Sequence, residues 1–182
     1  MARTTFQGPV RSLGGIYQQG PGAVVAITAS TTLDPVSHGG RIITVGGTLA
    51  ANVVLTLPTI NVSTDPVSSG PGADPNTLNN EGVVYTIWVP TTIATSSLKI
   101  GTTSTSSDLF IGAIFGVDTD SSNALVAYTA NGSSNDFINF NGTTTGGVAG
   151  SWVQIVALAA NKYFVNGVAL GSGVVATPFA DS

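Results

Sequence analysis

The chain has no cysteine, so neither disulfides nor thiolate metal sites can hold its fold, and burial with hydrogen bonding must do so. Charge is scarce too: Asp, Glu, Lys and Arg make up 8% of the 182 residues, where about 25% is usual. Helices in water present Lys/Glu faces with spaced ion pairs, and five basic with nine acidic residues cannot furnish several of them. A helical architecture is therefore disfavoured. Long hydrophobic runs are missing as well: no stretch reaches about 18 unbroken apolar residues. Met1-Ala2-Arg3-Thr4-Thr5-Phe6 has no apolar segment behind its charge. Neither a membrane partner nor a secretion signal is expected.

What remains is apolar and neutral-polar. Hydrophobic residues form 42% of the chain, enough to offset chain entropy by burial, and 23 Gly with many Ser and Thr supply the polarity. From residue 23 onward, short β-branched stretches alternate with Gly, Pro, Asn, Asp and Ser clusters, the pattern of strands and turns. The predicted strands are 23–28, 41–45, 53–57, 83–89, 109–115, 124–129, 136–140, 151–158 and 162–165. Arg41-Ile42-Ile43-Thr44-Val45 and Trp152-Val153-Gln154-Ile155-Val156 carry a polar interruption on one face only, as in a sheet buried on one side. Asn131-Gly132, Asn141-Gly142 and Asn166-Gly167 suit type I′ turns, and Ala159-Ala160-Asn161 is short enough to reverse the chain. These features predict an all-β fold of about nine short antiparallel strands, a β-sandwich or jelly roll, with a β-barrel as the alternative closure.

Charge is also uneven along the chain. Arg3, Arg11 and Arg41 come early, whereas every acid lies at Asp34 or later. Residues 1–22 hold Gly8-Pro9, Gly14-Gly15 and Gly20-Pro21-Gly22, which break regular elements. An extended N-terminal arm is expected at 1–22, before a single all-β domain at 23–182. Three dispersed arginines on an acidic body make no nucleic-acid stripe, so nucleic acid is not an expected partner and an arm docking on an acidic protein surface fits better. Residues 61–80, with Asp65-Pro66, Gly70-Pro71-Gly72 and Asp74-Pro75, read as a long surface loop suited to subunit or partner contact.

Catalytic chemistry finds little to work with. The only histidine, His38, stands beside Gly39-Gly40 and reads as part of a turn, and no Gly-X-Ser-X-Gly elbow accompanies it. One His without Cys argues against a transition-metal site. Asp118, Asp120 and Asp136 sit among turn residues, which favours a structural role over paired-carboxylate hydrolysis. Asp118-Thr119-Asp120-Ser121-Ser122-Asn123 alternates oxygens like the start of a calcium loop but lacks its sixth-position Gly and distal Glu. Gly171-Ser172-Gly173-Val174-Val175-Ala176 matches a dinucleotide fingerprint in letters, yet Thr177-Pro178 follows at once and leaves no helix, so a flexible C-terminal turn is expected. Tyr85, Trp88, Tyr128, Trp152 and Tyr163 lie in apolar strands and are expected in the core; Tyr17 is the exception. No catalytic residue, metal or cofactor is expected, and the chain reads as a non-enzyme.

Two runs carry a resemblance. Phe6-Gln7-Gly8-Pro9-Val10-Arg11-Ser12, followed by Gly14-Gly15, resembles the opening of virion structural proteins from marine and freshwater tailed phages, cyanophages among them. Trp152-Val153-Gln154-Ile155-Val156-Ala157-Leu158, then Asn161-Lys162-Tyr163-Phe164-Val165-Asn166-Gly167-Val168, is similar to their closing hairpin. The resemblance implies a capsid decoration, or cement, protein, assembled in the host cytoplasm and bound outside the head as a homotrimer. Its partners would be the major capsid protein and copies of itself. Contact would fall on Phe6, Pro9, Val10, Arg11 and Tyr17, apolar anchors and one guanidinium on the arm. Rival readings are a head-fibre or tail adhesin binding host glycan, and a glycan hydrolase using Asp118 or Asp120.

Overall fold

Side chains that alternate inward and outward are the local rule of this chain. In 162–171, Tyr163, Val165, Gly167, Ala169 and Gly171 are buried while their neighbours are half-buried, the period-2 signature of a strand lying on a core. The computed structural model describes residues 19–63, 77–103, 106–120 and 124–181. Among them are twelve strands and no α-helix. They are β1 (Val24–Ala26), β2 (Thr31–Thr32), β3 (Ile42–Thr44), β4 (Val53–Thr56), β5 (Val84–Trp88), β6 (Leu98–Gly101), β7 (Leu109–Asp118), β8 (Leu125–Thr129), β9 (Phe137–Phe140), β10 (Trp152–Ala159), β11 (Lys162–Gly171) and β12 (Phe179–Ala180). Each of the nine predicted stretches overlaps a strand, although β7, β10 and β11 run past the predicted ends, and β2, β6 and β12 are additional. Two of these have only two residues, too few for periodicity to register, while β6 turns Leu98 and Ile100 inward around Lys99.

The strands form a seven-stranded sheet, ordered β1-β3-β5-β10-β11-β7-β8, and a five-stranded sheet, ordered β12-β9-β6-β4-β2. From β1 to β7 the chain visits the two sheets in turn. A strand that returns to its sheet after crossing to the other runs in its original direction. Hence β1, β3 and β5 are parallel in one sheet, and β2, β4 and β6 in the other. The ten-residue pairing of β7 with β11 is parallel as well. The expectation of purely antiparallel sheets is thus corrected: both sheets are mixed, because most short connections are arches between sheets and not hairpins.

The reversal at 159–161 does form. It joins β10 and β11 as an antiparallel pair, with Asn161 at φ 60°, a conformation Asn tolerates. Asn166-Gly167, expected as a turn, lies instead within β11, and Gly167 has no side chain because a Cβ there would meet Trp152 O at 2.3 Å. At Asn131 and Asn141 only the following glycines take positive φ. The asparagine carboxamides fold the turn themselves: Asn131 Oδ1 accepts from Ser133, Ser134 and Asn135 N, and Asn141 Oδ1 from Thr143 and Thr145 N.

One hydrophobic cluster draws on both sheets and on the arches, from Leu33, Leu49 and Ile93 in connections to Leu55, Ile87, Ile100 and Val153 in strands. Phe110 of the larger sheet meets Phe179 of the smaller with ring centroids 6.5 Å apart. The C-terminus is therefore no loose turn. Ser172 and Ala176 donate to Thr143 and Thr144 O, and Phe179 is buried. No helix among the described residues is long and apolar enough to cross a membrane.

Candidate functional site

Among the described residues, no further sheet covers the outer face of the larger sheet and no strand pairs with the free side of its last strand, β8. Strand register sets the outward side chains in lateral rows. One row runs Thr44, Trp88, Trp152, Val168, Phe115, Ala127 across six strands. On one side of it stand Leu170, Val117 and Leu125. On the other, a row of Val24, Ile42, Thr86, Gln154, Asn166, Ala113 and Thr129 is followed by Val84, Val156, Phe164 and Ile111. These rows contain no charged side chain; the next holds Leu109 and Lys162, whose Nζ donates to Gly132 O.

The face is mostly apolar, crossed by one polar row of Thr86, Gln154, Asn166 and Thr129, and partly open to water. Trp88 is 40% exposed, Phe115 47% and Leu125 67%, and Val24 and Ile42 are exposed as well. Single exposed hydrophobics are ordinary, but contiguous rows of them mark an interaction surface. At its centre the rings of Trp88 and Trp152, paired across β5 and β10, stack at 5.7 Å with 19° between planes.

Both tryptophans were expected in the core, and that expectation is corrected. Trp88 shares its parity with Thr86, and Trp152 with Gln154, so each stands on the face that carries the polar residues. That phase was the signal available in the sequence. Tyr85 and Tyr163, one residue out of phase, are fully buried as expected. Burial pushes both phenols above their ordinary range. The Tyr163 hydroxyl donates to Pro58 O at 2.5 Å, whereas the Tyr85 hydroxyl has no partner among the described residues.

The predicted contact residues Phe6, Pro9, Val10, Arg11 and Tyr17 lie outside the described residues. The described chain begins at Gln19 and passes a turn closed by Ala23 N donating to Gly20 O, which delivers it into β1 at one edge of the larger sheet. The loop at 61–80 is described only at its base. There Asn61 N donates to Asn80 Oδ1, Asn80 Nδ2 to Thr59 O, Asn61 Nδ2 to Thr77 O and Asn79 Nδ2 to Ser63 O, a clamp of three asparagines.

His38 sits in the turn that the sequence indicates. Its Nδ1 accepts from Asp34 N, and Asp34 Oδ1 accepts from Val36 and Ser37 N. An Nδ1 that accepts an amide proton carries none itself, so its 3.1 Å approach to Asp34 Oδ2 is no ion pair in that state. Partial burial works to raise the Asp34 carboxyl, but the hydrogen bonds from Ser37 and Val36 hold it below its ordinary value, and a protonated His38 would lower it further.

Asp108, Asp118 and Asp120 are tied by hydrogen bonds to turns and connections, whereas one buried carboxylate oxygen of Asp136 has no partner among the described residues. Asp118 Oδ1 accepts from Asp120 N, and Asp120 Oδ2 from Gly173 N. Buried Asp108 joins two connections, its Oδ2 accepting from Ile60 N and Ser106 Oγ. The calcium-like run from Asp118 extends past the described residues, among which no three acidic, His or Cys side chains cluster to hold a metal. No family model, curated protein or solved structure matches the chain, so its function rests on the chemistry of these surfaces.

Proposed function

We propose that the chain is a non-catalytic structural protein of a tailed-phage virion, a two-sheet β-sandwich that decorates and reinforces the outside of the capsid as a homotrimer. Of the closures expected, two sheets across one shared core favour the sandwich over the jelly roll, whose strands are antiparallel. The observation that carries the functional reading is the outer face of the seven-stranded sheet, whose only charged strand residue is Lys162 at one end, tied to Gly132 O. A surface poor in charge, centred on Trp88, Trp152 and Phe115, has the make-up of a protein–protein interface core. Its partner in this reading is the major capsid protein, met from outside the assembled head, and nothing in that role calls for reactive groups.

The test is co-sedimentation with expanded heads of its own phage that lack this protein. The intact chain is expected to pellet with heads, and a Trp88→Asp, Phe115→Asp double variant to lose at least about tenfold in affinity with its circular dichroism unchanged. Equal binding by that variant would remove the outer face from the reading. Absence of binding by the intact chain would remove decoration itself. A second reading, an adhesin for host glycan, is favoured by one feature: the stacked tryptophans stand beside Gln154 and Asn166, a ring platform next to amides that can hydrogen-bond hydroxyls. Binding to a glycan array, lost in the same double variant, would select it.

A further inference from the structure

Among the described residues, β8 is the sheet edge that nothing blunts. Of the four edge strands, β2 and β12 have two residues and β1 three, too short to template another chain, whereas β8 has five. Leu125-Val126-Ala127-Tyr128-Thr129 includes neither charge nor proline, the usual guards of an open edge. Asp118 N donates to Ala124 O and Ala130 N to Gly112 O, so the even-numbered residues bond to β7. The N–H and C=O groups of Leu125, Ala127 and Thr129 therefore point away from it. The strand also overhangs the smaller sheet, for Val126, on the core-facing side opposite Gly116, is 37% exposed.

We propose that β8 receives the N-terminal arm of a second copy of this chain as an added strand, each copy giving its arm to one neighbour and taking another's. For the trimer alone this rests on the decoration reading. Within the three stretches of residues 1–18 free of Gly and Pro (1–7, 10–13 and 16–18), Thr4-Thr5-Phe6-Gln7 and Val10-Arg11-Ser12-Leu13 have a composition that suits a pairing strand. Their charge is complementary to the body. Arg3 and Arg11 stand there without any acid, while residues 23–182 hold three basic and nine acidic residues, 3 − 9 = −6. Asp120 lies on the connection leading into β8, just after Asp118, the buried last residue of β7.

Geometry favours a neighbour as donor. The arm enters at β1, six strand spacings from β8, which is about 29 Å. A chain serving its own β8 would have to cross the whole outer face first, whereas a neighbour's arm can approach the edge from outside. A contact that gives at one edge and takes at the other is head-to-tail, the kind that closes into rings.

The cysteine-free sequence makes the test clean. Full-length chains carry Ala127→Cys with either Thr5→Cys or Val10→Cys, and mild oxidation is followed by a non-reducing gel. Bonds between chains are expected, as dimers and trimers, for at least one arm position. A mixture of two size-tagged chains, one with only the arm cysteine and one with only Ala127→Cys, is expected to give the mixed product. Bonds confined to single chains at every concentration overturn the exchange between copies. Absence of bonds at both arm positions overturns arm docking on β8. Head binding by the unmodified chain is scored separately, so loss of the decoration reading and loss of the arm exchange are distinguishable.

Discussion

Tyr85 and Tyr163 are both fully buried and differ in what their hydroxyls meet: Pro58 O for Tyr163, and no partner among the described residues for Tyr85. A buried hydroxyl without a partner costs its desolvation, while one that satisfies a carbonyl returns it. Tyr163→Phe is expected to lose about 1–3 kcal/mol, because Pro58 O is then stranded, and Tyr85→Phe to lie within about 1 kcal/mol of the parent or above it. Urea unfolding of the two variants side by side checks this, and equal losses would contradict it. At this scale the sequence was legible by parity. Val84-Tyr85-Thr86-Ile87-Trp88 puts its tyrosine and tryptophan on opposite faces, and reading aromatics as core by composition overrode that period and hid the outward-facing pair.

Elements were legible where burial imposes alternation and illegible where the chain changes sheet. Residues 151–158 and 162–165 announce their strands and the reversal between them, although the second runs on through Asn166-Gly167 to Gly171. Turn chemistry alone cannot tell a hairpin from an arch, since both need residues that break a strand, and so the parallel pairs of β1 with β3 and β4 with β6 were not foreseeable. The base of the loop at 61–80 shows how such connections are fixed. Asn80 is almost wholly buried and engages Asn61 N and Thr59 O. Asn80→Ala strands both backbone groups and is expected to cost roughly 2–4 kcal/mol, with Asn80→Asp between the two because it keeps the acceptor and loses the donor. Thermal unfolding reads the order; an Asn80→Ala chain as stable as the parent would mean that the clamp holds nothing.

For the whole molecule, scarce charge and regular alternation indicated an all-β body, yet neither reveals which outer face stays bare, because that depends on strand order. The order leaves two distinct surfaces on the larger sheet, an apolar face and an open edge, and the proposals assign them to different partners. Both tryptophans of the chain stand on the face and neither on β8, so their fluorescence reports one surface and not the other. Arm exchange at β8 should leave acrylamide quenching of Trp88 and Trp152 unchanged between arm-truncated and full-length chains. Docking of the face on heads should instead reduce quenching several-fold and shift emission to the blue, since the stacked rings leave water. Quenching that falls on trimer formation alone would mean that copies cover one another's outer face, and the division of labour between face and edge would be wrong.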